Sequence, residues 1–166
     1  MHLKAKQYKK KLKLKKHPEG GYYKEVYRSG ELILGEHLPK RFKTSRNFST
    51  SIYFMLEGNQ YSTFHKLQSD ELWHFYDGCD VNVYIINSKG KLLKKKIGRG
   101  KDCKFQITIE KNNWFAAELA DKKLFALIGC TVSPGFELDD FLMGKNKDLI
   151  KQFPQHKRLI EKFTAI

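Results

Sequence analysis

Long apolar runs are missing from this chain. No stretch approaches the ~20 consecutive apolar residues of a membrane-spanning helix. The basic N-terminus is not followed by the apolar segment of a secretory signal. The expectation is a cytoplasmic protein with no membrane partner. Cysteine is scarce: Cys79, Cys103 and Cys130 are odd in number and widely spaced, with no C-x-x-C pair. This argues against a zinc knuckle or a thioredoxin-like motif and leaves three reduced thiols. Acid is absent from residues 1–16, whose eight lysines carry more than half of the net charge of +14. A basic tail is weaker evidence than a basic groove, so no sequence-specific nucleic-acid partner is expected. Salt-sensitive adhesion to polyanions is the more plausible reading. Internal repeats and linkers are lacking too. The 166 residues therefore form one domain, 17–166, behind a basic arm or short helix, 1–16.

What is present is β structure. His17-Pro18-Glu19-Gly20-Gly21 stops the first segment, and a strand follows over Tyr22–Arg28. Residues 30–48 form a basic, irregular connection, either a cover for a binding mouth or an inert insertion. From Ser49 to Val132 alternating runs are separated by short turns, Glu57-Gly58-Asn59, Asp77-Gly78, Ser88-Lys89-Gly90, Lys111-Asn112-Asn113 and Asp121-Lys122-Lys123 among them. About nine short strands at this spacing read as a sandwich or barrel. The end changes period: Leu149, Ile150 and Phe153, then Leu159, Ile160 and Phe163, fall on helical faces either side of Pro154. Two short helices packed outside the β unit are expected.

Chemically capable side chains converge in Tyr61–Gly78. The runs Tyr61–Leu67 and Glu71–Tyr76, joined by Gln68-Ser69-Asp70, read as a hairpin. Strand parity puts Thr63, His65 and Leu67 on one face, and Glu71, Trp73 and Phe75 on one face of the partner. An interior carboxylate needs a partner, and His65 is the candidate for Glu71. Such a pair can act as acid and base, hold a metal, or satisfy itself.

The spacing His65-x(5)-Glu71-x(6)-Gly78 resembles the first conserved motif of the cupin superfamily. Further blocks are similar to the uncharacterised cupin-5 family, catalogued as a domain of unknown function: residues 17–22 (HPEGGY), 49–54 (STSIYF), 69–76 (SDELWHFY), 129–136 (GCTVSPGF) and 153–156 (FPQH). The likeness covers about residues 12–163. It implies an all-β fold, a single jelly-roll (double-stranded β-helix) barrel with short terminal helices, a site inside the barrel, and a homodimer. Two of the four metal-ligand positions of cupins depart from the pattern, holding Leu67 and Phe115 instead of histidine. His65 and Glu71 remain, and His74 joins them only if a bulge reverses its parity. A divalent metal is therefore disfavoured and no cofactor is expected. The sugar-nucleotide 3,5-epimerases share the architecture and work without metal, using a histidine base and a tyrosine acid. By that likeness His65 and Tyr53 would fill those roles.

The leading expectation is a protein that binds a small polar ligand inside the barrel, such as a carbohydrate or sugar nucleotide, with epimerase- or isomerase-like acid–base chemistry. Catalytic candidates are His65, Glu71 and Tyr53; ligand-binding candidates are Thr63, Trp73, Trp114, Arg46 and Cys130. One alternative is a non-catalytic module with a degenerate site and a filled barrel. A weaker one is a metal-dependent oxygenase or isomerase. Whether the chain is an enzyme stays open at this point.

Overall fold

A computed structural model describes residues 2–164. Helix α1 (Leu3–Lys11) leads into β1 (Lys15–Lys16) and β2 (Tyr22–Arg28). The connection after β2 contains a small two-stranded ribbon, β3 (Leu32–Ile33) with β4 (Arg46–Asn47). There follow β5 (Thr50–Glu57), β6 (Tyr61–Leu67), β7 (Asp70–Gly78), β8 (Val81–Ile86), β9 (Leu92–Ile97), β10 (Gln106–Ile109), β11 (Trp114–Leu119), β12 (Phe125–Ser133) and β13 (Phe141–Met143). Helices α2 (Asn146–Gln152) and α3 (Lys157–Thr164) close the described chain, separated by the turn at Pro154.

Two antiparallel sheets face one another. The first runs β1-β2-β5-β12-β7-β10 and the second β13-β6-β11-β8-β9. This is an all-β jelly roll, as the motif resemblance implies; the strand spacing predicts only a sandwich or barrel. The expected hairpin is corrected, however: β6 and β7 lie in opposite sheets. The polar turn between them crosses the barrel instead of reversing within one sheet. Arg41 Nε donates to the Gln68 carbonyl at 2.9 Å, Ser69 Oγ to the Pro134 carbonyl at 3.0 Å, and the Lys111 backbone N–H to Asp70 at 2.8 Å. These bonds pin the corner from three distant segments, which adjacent sequence spacing cannot reveal.

The parity of both strands survives the correction. Face-to-face sheets still turn His65 and Glu71 toward the same interior. The outward face of β6 is buried as well, because α2 and α3 cover it: Phe64, Ile86 and Trp114 pack with Leu149, Phe153, Ile160 and Phe163. On the other sheet Ala5 of α1 packs with Met55, Phe125 and Leu127. The inner faces fill one half of the barrel with Leu56, Phe75, Val81, Val83, Ile85, Ile97, Ile107, Leu119 and Ile128, all buried. Toward the other ends of β5, β7 and β12 the filling stops and a cavity begins.

Candidate functional site

The cavity has a volume of about 470 Å³. Glu71 and Trp73 of β7, His65 and Leu67 of β6, Thr50, Ile52 and Phe54 of β5, and Cys130 and Val132 of β12 line it. Two further groups come from the chain ahead of β2: His17 and Glu19. A tight loop delivers them. Gly20 has φ +109°, and a Cβ there would collide with the Tyr61 carbonyl oxygen. Only glycine allows this approach, so the loop docks against β6. The Thr63 N–H then donates to the Glu19 carbonyl at 2.9 Å. A segment leading into the first sheet is thereby bonded to a strand of the second, and the Glu19 side chain enters the interior.

There it meets His65. Glu19 Oε2 lies 3.0 Å from His65 Nε2, with side-chain exposures of 8% and 4%. His65 Nδ1 lies 2.7 Å from the Thr63 carbonyl oxygen, and the Phe115 ring packs on the imidazole at 4.0 Å between centroids. Both ring nitrogens are thus engaged. Ser62 Oγ donates to Glu19 Oε1 at 3.2 Å. Burial pushes the Glu19 carboxyl well above its ordinary range, and the nearby Glu71 adds to the shift. Burial also pulls His65 down to about 3 and His17 to about 4. Both imidazoles are neutral at neutral pH.

Glu71 stands differently. Its Oε2 is buried without a hydrogen-bond partner, and so is Nε1 of Trp73. The Trp73 N–H and the Cys130 thiol face its carboxyl and oppose the effect of burial, which still raises Glu71 to about 7. The indole N–H faces the carboxyl outside hydrogen-bonding geometry, and no bond forms. The Cys130 thiol is pushed well above its ordinary range by burial and by the neighbouring carboxyls, so it is not a thiolate nucleophile.

At the mouth, Lys15 Nζ sits over the Tyr23 ring, 5.0 Å from its centroid. A bulge between Glu25 and Tyr27 resets the parity of β2, and Arg28 also lines the opening. Arg28 is held by Glu25 at 2.9 Å and Glu137 at 2.7 Å.

Several expected site residues lie elsewhere. His65 and Glu71 share the cavity, but the partner of His65 is Glu19. Tyr53 is on the outer face, beside Tyr76 at 5.9 Å between ring centroids and packed with the α1 cluster, so it does not oppose His65. Trp114 packs beneath α2 and α3. Arg46 is fully buried in a two-pronged pair with Asp140, at 2.6 and 2.8 Å, joining the β3–β4 ribbon to the segment before β13. Thr63 Oγ1 is buried without a partner, and Thr63 is not among the cavity-lining residues. His74 follows its strand parity away from the cavity and pairs in register with Gly129 and Gln106. Glu19 is not among the candidates from sequence, because His17-Pro18-Glu19-Gly20-Gly21 reads there only as a break that stops the first segment. The signal was an acid placed directly before Gly-Gly.

Could the cavity hold the metal that the cupin pattern implies? Leu67 and Phe115 occupy two ligand positions. Of the two retained ligands, His65 has its Nε2 against Glu19 and its Nδ1 against a carbonyl. Among the described residues no three His, Cys, Asp or Glu side chains are arranged to hold a metal ion. The donor set does not fit.

Comparison with known proteins adds the following. Residues 6–144 match the family described as "Cupin superfamily (DUF985)". The crystal structure of protein SO0799 from Shewanella oneidensis superposes with a TM-score of 0.87 at 33% identity, covering 96% of each chain. A hypothetical protein from Leishmania major gives 0.86 at 28% identity, over 96% of this chain and 98% of that one. Oxalate decarboxylase from Bacillus subtilis gives 0.56 at 15% identity, over 89% of this chain but only 36% of its own, a likeness of fold alone. A search of curated proteins finds no match. Among the described residues no helix is long and apolar enough to cross a membrane.

Proposed function

Because the chain belongs to the DUF985 family of the cupin superfamily, whose description names no ligand, we propose from the cavity itself that it binds a small polar molecule inside the barrel. One observation carries this reading: the unpartnered, buried Oε2 of Glu71 beside the unpartnered N–H of Trp73. Leaving such atoms unsatisfied costs about 1–3 kcal/mol each. A guest that donates to the carboxyl and accepts from the indole removes both costs. The walls Phe54, Trp73, Phe136 and Phe141 suit the flat face of a ring. A hydroxyl-bearing ring such as a carbohydrate meets both demands, and Lys15 at the mouth suits an anionic substituent such as the phosphate of a sugar nucleotide.

Acid–base chemistry on that guest belongs to the same proposal. With both nitrogens of His65 engaged, Glu71 is the group free to accept a proton from the ligand. A carboxyl near neutral pKa is matched to that task. An open cavity with carboxyls and imidazoles in its wall supports this reading over the filled barrel of a non-catalytic module, and the donor set speaks against the metal-dependent one. Homodimerisation is proposed alongside it: Val26, Tyr27, Leu32 and Leu34 of the β2–β3 region are about half exposed, and light scattering of the purified protein tests it.

The test of ligand binding is calorimetry against monosaccharides and sugar nucleotides, for the wild type, Glu71→Gln and Trp73→Phe. Binding that weakens about tenfold or more in either variant is expected, the equivalent of one lost buried hydrogen bond to a charged group. Binding unchanged in both variants, or no binding by the wild type to any compound, overturns the proposal.

A further inference from the structure

We propose that Glu19 keeps its proton at neutral pH and donates it to Nε2 of His65, so that Glu19 is the resident acid of the cavity and His65 the residue that positions it. The inference goes beyond the ligand-binding reading and does not depend on which ligand binds.

The hydrogen bonds impose it. A carbonyl oxygen only accepts, so the 2.7 Å contact to Thr63 requires a proton on Nδ1 of His65. A neutral imidazole then has a bare Nε2. The Glu19 oxygen 3.0 Å away must be the donor, and a carboxyl oxygen donates only when protonated. The other arrangement, a carboxylate beside an imidazolium, places two ions in a site walled by Phe115 and Phe141. Their separate desolvation costs several kcal/mol each and must be recovered through additional hydrogen bonds.

Those bonds are missing, and the same protein contains the contrasting case. Glu118 has the same side-chain exposure as Glu19, 8%. Tyr84 Oη donates to it at 3.0 Å, and Lys162 and Lys122 hold it at 2.6 and 2.8 Å. This is how the chain buries an ionised glutamate: three donors, two of them ammonium groups. Among the described residues Glu19 receives a single hydroxyl, from Ser62, and no Lys or Arg side chain pairs with it. The titratable groups around the Glu19–His65 pair are His17, with Nδ1 3.7 Å from Glu19 Oε1, then Glu71 and Cys130, which both interact with the Glu19 charge. His17 Nδ1 accepts from the Glu19 backbone N–H at 3.3 Å, so that nitrogen is bare and the ring uncharged, and a carboxyl and a thiol bring no positive charge. The proton has no competing owner, and the cavity carries one acid, Glu19, and one carboxyl free to accept, Glu71.

Long-range proton–nitrogen NMR of uniformly ¹⁵N-labelled protein reads the His65 ring directly. One N–H, on Nδ1, with a bare Nε2 from about pH 5 to 8 is expected, although an ordinary histidine changes charge in that range. Glu19→Gln keeps this tautomer, because the amide N–H replaces the acid O–H and its carbonyl still accepts from Ser62. Glu19→Ala loses it. Infrared spectra at neutral pH show a protonated-carboxyl band that Glu19→Gln removes. An His65 ring protonated on both nitrogens at neutral pH overturns the proposal, as does a spectrum in which Glu19→Gln removes no such band. If a variant fails to fold, the wild-type ring nitrogens decide alone. None of these measurements involves a ligand, so failure here and failure of ligand binding are separate results.

Discussion

The two halves of the barrel are built from the same strands and behave as different materials. Along β12, Ala126 and Ile128 enter a close-packed interior, while Cys130 and Val132, two and four positions further on, face open space. Along β7 the change falls between Phe75 and Glu71. Alternation does not distinguish the halves, since both turn every second residue inward. Side-chain chemistry does. The packed half is aliphatic and aromatic and satisfies itself by contact. The open half holds carboxyls and imidazoles that must satisfy one another or a guest. Stability is concentrated in the first, and unsatisfied polar demand in the second.

The largest effect is expected from opening the packed half. Leu56 is fully buried, and Leu56→Ala should cost about 2–5 kcal/mol, read as a lower denaturant midpoint. A loss below about 1 kcal/mol would mean that the halves are not distinct in packing.

Next is the pH dependence of the open half. Glu71 rises from 4.5 to about 7 on folding, so the folded state holds a proton that the unfolded chain releases. Its contribution is fully present below pH 4.5 and is lost as pH rises through about 7. One pH unit corresponds to about 1.4 kcal/mol, so the swing is about 3 kcal/mol at most. The two depressed histidines act in the opposite direction: stability falls as pH drops from 6.5 through about 4 for His17 and about 3 for His65. Glu71→Gln should shrink the first trend to the part that Glu19 contributes, since burial raises its carboxyl as well, and leave the second. Denaturant titrations at a series of pH values separate them, and an unchanged profile in the variant would assign the swing elsewhere.

The smallest effect sharpens the contrast. Cys130 already faces the cavity, so Cys130→Ala enlarges existing space instead of creating a void among packed neighbours. A cost of about 1 kcal/mol or less is expected in the same unfolding assay, well under that of Leu56→Ala.

How far this division was legible in the sequence depends on the reach of each signal. Parity along β6 and β7 is local, and it correctly turned His65, Glu71 and Trp73 inward. A sandwich or barrel followed from strand count and spacing, and the motif blocks pointed to the family and with it to the jelly roll. Pairing is not local. Tyr61–Leu67 and Glu71–Tyr76 look like a hairpin, because nothing in the connecting residues records that Arg41, Pro134 and Lys111 hold the corner open. Tyr53 shares a strand with Phe54, and a one-residue difference in parity separates the outer surface from the interior. Arg46 is a ligand-binding candidate in the sequence, but its partner is Asp140, 94 residues away. Glu19 was the most consequential omission. It lies in no strand, so periodicity says nothing about where it points. Its position follows from the close approach of Gly20 to Tyr61, a contact between the two sheets.

That contact has a consequence for the folding reaction itself. Glu19 reaches His65 only when the segment before β2 has docked on β6, so closure of the barrel and creation of the acid are one event. Before closure, at neutral pH, Glu19 is an ordinary carboxylate in water. After it, the same side chain carries a proton drawn from solvent. Assembly of this barrel is therefore a proton-uptake reaction, and a pH indicator in weak buffer would follow the sheets as they come together.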